Sequence, residues 1–173
     1  MSEIKLESGN DAPPFKLDSA EGELSLADFK KVVLYFYSKD NTSGCTKQAV
    51  SFNDSYGKFK SMGYEIIGIS KDAVASHKKF AEKYGLKFHL LSDPDCRVAE
   101  SYGVRKEKIM YGKKVMGTIR SAFVIENGKI VHALYNIKAE SSADTVLEIL
   151  QKNECEIFLI SSLKKFPDSD MLR

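Results

Sequence analysis

Cysteine is scarce in this chain, and its placement does not suit a disulfide framework. The three cysteines, Cys45, Cys96 and Cys155, are scattered over 173 residues. A secreted scaffold shows an even, dense set, so this usage fits a reducing compartment. There a cysteine is buried filler or a reactive thiol rather than half of a permanent bridge. Charge of one sign is also in short supply. The formal net charge is +2, and basic residues are interleaved with acidic ones rather than clustered. Nucleic acid and an acidic membrane surface are therefore not expected partners. No run approaches the roughly 20 apolar residues of a membrane span. The amino terminus, MSEIKLESGNDAPPF, lacks the apolar stretch of a secretory signal. The expectation is a soluble cytoplasmic protein. Metal-ligand spacing is missing too. His77, His89 and His132 form no zinc pattern with one another or with the cysteines, and read as surface or partly buried residues. Gly112-Lys-Lys114 has Glu107 where a phosphate loop needs glycine. No cofactor and no metal are expected.

What is present is an ordinary globular composition, 43% hydrophobic and 29% charged. The length fits one domain, placed at residues 1–152, with residues 153–173 as a C-terminal extension. Lys31-Val-Val-Leu-Tyr-Phe-Tyr37 and Tyr64-Glu-Ile-Ile-Gly-Ile-Ser70 are continuous apolar runs, as expected of strands buried on both faces. Between them a helical pattern runs from Ser43 to Met62, with Phe52, Tyr56 and Phe59 at helical spacing and Gly63 to stop it. Ala73 to Tyr84 reads as a helix closed by Gly85, and Lys87 to Leu91 as a short strand. Asp93-Pro-Asp95 opens a helix carrying Val98 and Tyr102. Ile119–Ile125 and Lys129–Tyr135 flank Glu126-Asn-Gly128, a strong hairpin signal. Ser141 or Ser142 can cap a last helix through Leu150. Phe15–Leu17 and Glu23–Ser25 around Gly22 suggest an N-terminal β-hairpin. This alternation establishes the α/β class. The tail holds the apolar run Ile157-Phe-Leu-Ile160, read as packed on the domain, with a partner-binding role as the sharper alternative.

The segment with chemical content is Tyr35-Phe-Tyr-Ser-Lys-Asp-Asn-Thr-Ser-Gly-Cys45. A buried strand runs into a short polar loop, and a cysteine follows in the first turn of a long helix. Unpaired N–H groups and the positive end of the helix dipole lie there, and both favour thiolate over thiol. Such positions lower a cysteine pKa from about 8.5 toward roughly 3.5 to 7.5. A thiolate so placed is an activated nucleophile. A buried, inert cysteine is the competing reading of the same residue.

The segment from Tyr35 to Ala49 resembles the active-site stretch of the peroxiredoxins, in the bacterioferritin comigratory protein or peroxiredoxin Q branch. Ala12-Pro13-x-Phe15, Leu24-Ser25-Leu26-x-Asp28-Phe29 and His77-Lys-Lys-Phe-Ala-Glu-Lys-Tyr84 resemble that branch as well. So do Leu91-Ser-Asp-Pro94, Tyr102-Gly-Val104 and Arg120-Ser-x-Phe123, all in one register. The resemblance implies a thioredoxin-like fold, a central mixed sheet flanked by helices. It implies reduction of hydrogen peroxide and organic hydroperoxides through a sulfenic acid on Cys45. Thr42 matches the family threonine and would hydrogen-bond the peroxide. Arg120 matches the family arginine and would hold the thiolate and stabilise charge on the leaving oxygen. Ser38, Ser43, Gly44 and Tyr37 would complete the pocket. A monomer is implied.

Two positions depart from the family. Ser38 stands where relatives have proline, which implies a looser site and lower efficiency. Val50 stands where many relatives carry a second cysteine, so the common resolving thiol is absent. Cys96 and Cys155 are left as candidates; Cys96 reads equally as a small core residue. A disulfide to Cys45 would need Cα atoms within about 7 Å, which a sequence cannot show. The reading favoured is a one-cysteine cycle recycled by glutathione, a glutaredoxin or thioredoxin. A disulfide oxidoreductase would need cysteine at position 48, which is Gln48, and a cysteine phosphatase an arginine at position 51, which is Ser51. A holdase chaperone or a peroxide sensor is the non-catalytic alternative.

Overall fold

A computed structural model describes residues 5–152. The expected extension, with Cys155 and Ile157–Ile160, lies outside the described residues. The chain divides after Ala143 into two compact units. The first opens with the expected hairpin, β1 (Lys16–Ser19) and β2 (Gly22–Ser25). Then come β3 (Lys31–Phe36), α1 (Ser43–Asp54), α2 (Tyr56–Ser61), β4 (Glu65–Ser70), α3 (Val74–Tyr84), β5 (His89–Ser92) and α4 (Arg97–Ser101). β6 (Arg105–Met110), β7 (Lys113–Thr118), β8 (Ser121–Glu126) and β9 (Lys129–Leu134) follow. A last helix covers 142–152 of the described residues.

Seven strands form one mixed sheet in the order β2-β1-β5-β4-β3-β8-β9. β3 pairs parallel with β4 and antiparallel with β8, so it lies at the centre, and β4 pairs parallel with β5. That position explains the apolar run from Val32 to Phe36, every residue of which is buried. Its side chains alternate between two cores. Val32, Leu34 and Phe36 pack with Ile67, Ile69, Phe123, and with Val98 and Tyr102 from α4 and its end. On the other face Tyr35 stacks on Phe52 of α1 at 4.6 Å between ring centroids, and Phe52 meets Phe59 of α2 at 5.9 Å.

The Asn-Gly turn forms as the residues dictate. Asn127 and Gly128 both take positive φ, 52° and 77°, and Glu126 pairs with Lys129 across a two-residue loop. Two expectations need correction, and one element was not foreseen. The helix foreseen from Ser43 to Met62 is two helices, broken at Ser55 (φ −97°, ψ 4°), because the apolar spacing continues across a backbone step out of the α region. His77 is neither a surface nor a partly buried histidine; it is 1% exposed. Residues 105–118 form a second two-stranded sheet that the sequence did not announce. Its alternation is obscured by charges on both faces, and its turn is Tyr111-Gly112, with Tyr111 itself at φ 53°.

Candidate active site

The register between β3 and β8 places two chain ends side by side. Phe36 faces Ser121 in the last pair of the ladder. The chain leaves β3 toward the 38–42 loop and α1, and Arg120 precedes β8 at the same end. The guanidinium and the first turn of α1 therefore converge. Arg120 Nη2 donates to Cys45 Sγ at 3.4 Å. Its Nη1 donates to Gln48 Oε1 at 2.5 Å. Gln48, fully buried one turn along α1, passes the order on: its Nε2 donates to Ser142 Oγ at 3.1 Å, and Ser142 donates to the Lys138 carbonyl at 2.6 Å. Gln48 thus fixes the plane of the arginine fork. The sequence offered Gln48 only as the residue that excludes a Cys-x-x-Cys pair; its role appears once Arg120 is brought beside it.

Gly44 is what lets the arginine in. A Cβ built there would lie 3.2 Å from Arg120 Nη2 and 3.8 Å from Ala139 Cβ. Thr42 is the N-cap of α1, in extended conformation (φ −76°, ψ 151°), yet its side chain caps no helix N–H. The Thr46 N–H donates to the Thr42 carbonyl at 2.9 Å, opening the helix. The side chain that usually caps the N–H groups of Gly44 and Cys45 therefore leaves them for another acceptor. The Thr42 hydroxyl instead donates to the Lys39 carbonyl at 2.9 Å.

Cys45 is 2% exposed. Burial pushes its thiol up, and this is the largest single influence. A backbone hydrogen bond from Lys39, the Thr42 hydroxyl and the Arg120 guanidinium together outweigh it, and the thiol lies below its ordinary value. Cys96 behaves in the opposite way. Burial raises its thiol, helped by Asp93, and this outweighs the lowering influence of Arg105. It packs on the core of the Phe36 face, at the left-handed N-cap of α4 (φ 57°). The remaining pocket candidates separate. Ser38 and Ser43 are exposed, whereas Tyr37 is 1% exposed, with its hydroxyl turned to Asp40 at 2.6 Å.

Cys45 thus lies in the first turn of α1 with an arginine from a neighbouring strand end on its sulfur. Residues 8–133 match the AhpC/TSA family model. The chain belongs to the AhpC/TSA family. A Mycobacterium tuberculosis protein that carries a peroxiredoxin name is 48% identical over 139 residues, covering 78% of this chain and 88% of that protein. Chloroplastic peroxiredoxin Q of Sedum lineare is 43% identical over 154 residues, covering 85% of this chain and 79% of that protein. Among solved structures, the bacterioferritin comigratory protein of Xanthomonas campestris, described for its alkyl peroxide reduction activity, superposes with a TM-score of 0.77. It is 35% identical, over 88% of this chain and 99% of that one. The fold is thus the thioredoxin-like fold of peroxiredoxins, and the chain is a thiol peroxidase of the bacterioferritin comigratory protein and peroxiredoxin Q branch. Its substrates are a hydroperoxide and a thiol reductant. No helix among the described residues is long and apolar enough to cross a membrane.

Proposed function

We propose that Cys45 is the peroxidatic nucleophile, assisted by Arg120 and Thr42, and that an external thiol recycles it. The observation that carries this is the 3.4 Å hydrogen bond from Arg120 to the Cys45 sulfur. The Cys45 thiolate attacks the terminal oxygen of the hydroperoxide. The S–O bond forms as the O–O bond breaks, and the departing oxygen takes a proton and leaves as water or an alcohol. The sulfur is oxidised to sulfenic acid and the peroxide is reduced. The Thr42 hydroxyl has one proton and two acceptors, the Lys39 carbonyl and the sulfur, so it can turn from one to the other as charge leaves the sulfur. Arg120 holds its charge throughout and faces the oxygen on which negative charge develops. The N–H groups of Ser43, Gly44 and Cys45 complete the cradle.

One molecule of reductant thiol then attacks the sulfenic sulfur, giving a mixed disulfide and water. A second thiol releases the reduced enzyme and a disulfide. The direction of the Cys96 shift and its place on the opposite core favour an external reductant over Cys96. Glutathione, a glutaredoxin or thioredoxin fits the role, and the working form is read as a cytoplasmic monomer. The test is intact-protein mass spectrometry after one equivalent of hydrogen peroxide, with and without a sulfenic-acid trap. Wild type is run beside Cys45→Ser, Cys96→Ser and Cys155→Ser. A trapped adduct lost only in Cys45→Ser supports the proposal. An internal disulfide abolished by Cys96→Ser or Cys155→Ser overturns the one-cysteine cycle. No oxidation at Cys45 overturns the nucleophile.

A further inference from the structure

Beneath the loop that precedes α1 lies a buried polar cluster that takes no part in the steps above. The side chains of Asp40 and His77 are 2% and 1% exposed. Asp40 accepts from the Tyr37 hydroxyl at 2.6 Å, from Ser76 Oγ at 2.9 Å and from His77 Nδ1 at 2.7 Å. His77 Nε2 lies 3.0 Å from the Leu91 carbonyl. A carbonyl only accepts, so Nε2 donates to it, and Nδ1 shares a proton with the Asp40 carboxyl. Burial alone would push the Asp40 carboxyl up; the hydrogen bonds from His77, Tyr37 and Ser76 outweigh it and hold the group below its usual range. The backbone of the same residue is tied as well. Asp40 N–H donates to Asp72 Oδ2 at 2.8 Å, which also accepts from Ser70 Oγ at 2.6 Å. The anchors come from the ends of β3 and β4, from α3 and from β5.

A buried polar pair of this kind is weak support for stability, because desolvation offsets most of its attraction. Its better-attested use is to select one conformation. Here the residue it selects for is next in the chain to Lys39, whose carbonyl receives the Thr42 hydroxyl at 2.9 Å and whose backbone helps hold the Cys45 thiol below its ordinary value. The loop needs such an anchor. Position 38 is serine, without the ring that would fix its φ, and Asn41 takes the left-handed region at φ 65°. We infer that Asp40 and His77 are positioning residues of the peroxidase site: the buried pair pins the 38–42 loop so that the Lys39 backbone and the Thr42 hydroxyl stay beside the Cys45 sulfur. The inference rests on Cys45 as the nucleophile.

The test uses the full chain with Cys96→Ser and Cys155→Ser, so that Cys45 is the only thiol. The rate of alkylation by iodoacetamide is followed against pH, single-turnover oxidation by hydrogen peroxide by stopped flow, and stability by thermal melting. Asp40→Ala and His77→Leu should shift the alkylation profile upward by roughly one pH unit and slow oxidation about 10- to 100-fold. Asp40→Asn should restore both to within about threefold of the parent, because its amide can donate to a neutral His77 Nδ1 and still accept from Tyr37. Ser76→Ala, which removes one bond and leaves the pair, should move both readouts in the same direction by less, and it serves where Asp40→Ala does not fold. Tyr102→Phe removes the 2.8 Å bond to the Pro13 carbonyl on the opposite core. It should lower the melting temperature and leave the profile unmoved. Folded Asp40→Ala, His77→Leu or Ser76→Ala protein with the parental profile and rate overturns the inference. Asp40→Asn as damaging as Asp40→Ala also overturns it, since charge rather than position would then matter. Alkylation reads the thiolate without peroxide, so the positional effect is decided even if hydrogen peroxide leaves Cys45 untouched. That last result would count against the nucleophile alone.

Discussion

Replacing Arg120 with methionine keeps an unbranched stem and removes the guanidinium. Two hydrogen bonds go with it, the 3.4 Å contact to Cys45 Sγ and the contact to Gln48 Oε1. A hydrogen bond to a charged group contributes about 1.5 to 3 kcal/mol. At about 1.4 kcal/mol per pKa unit that is roughly one to two units on the thiol, and the partial exposure of Arg120 favours the lower end. The folded-state pKa of Cys45 is depressed, so its thiolate persists as pH falls below the ordinary thiol range and is lost only at the lowered value. The wild-type oxidation rate should therefore be flat above that value and fall below it. In Arg120→Met the fall should begin about one unit higher. The plateau should drop as well, by about 100- to 1,000-fold, because the leaving oxygen loses its donor. Stopped-flow oxidation against pH reads both effects, while alkylation of Cys45 reads only the first. Arg120→Lys should fall between, since one ammonium cannot span the sulfur and Gln48 together. An Arg120→Met protein that is folded and whose alkylation profile superposes on wild type would refute this account of thiol activation.

Gly44→Ala should separate activity from stability. The added Cβ crowds Arg120 Nη2 at 3.2 Å, so single-turnover oxidation should slow about tenfold, while urea unfolding shows stability unchanged or raised by up to about 1 kcal/mol from the better helix former. Gly68→Ala should do the reverse. Its Cβ would lie 2.8 Å from Tyr35 Cζ and 2.9 Å from Leu90 Cδ2, a clash inside a packed core that costs about 1 to 3 kcal/mol in urea unfolding. Residual folded protein should keep the wild-type pH profile.

The parts of this molecule that are legible in its sequence share one property: their signal is local. β3 and β4 read as buried strands because each is a short unbroken apolar run. The β8–β9 turn reads from Asn127-Gly128, and Cys45 from a strand, a polar loop and a helix start. What was hidden depends on residues far apart in the chain. His77 looks unremarkable on α3 until Asp40, 37 positions earlier, is brought to 2.7 Å. Gln48 gains its meaning from Arg120, which lies 72 positions away. The β6–β7 hairpin was hidden for a different reason. Its strands carry polar residues on both faces, and Tyr111 rather than asparagine occupies the left-handed turn position, so neither alternation nor turn chemistry announced it.

The β3–β8 ladder also sets when this protein becomes chemically competent. Arg120 reaches the sulfur only because Phe36 and Ser121 end up opposite one another, and the contact it makes joins residues 75 positions apart. A chain emerging from the ribosome exposes Cys45 long before β8 exists to pair with β3. Until then the thiol has neither its arginine nor a Gln48 held in place, and it should behave as an ordinary cysteine. On the proposed mechanism, peroxide reactivity is thus acquired with the tertiary fold rather than carried by the cysteine alone.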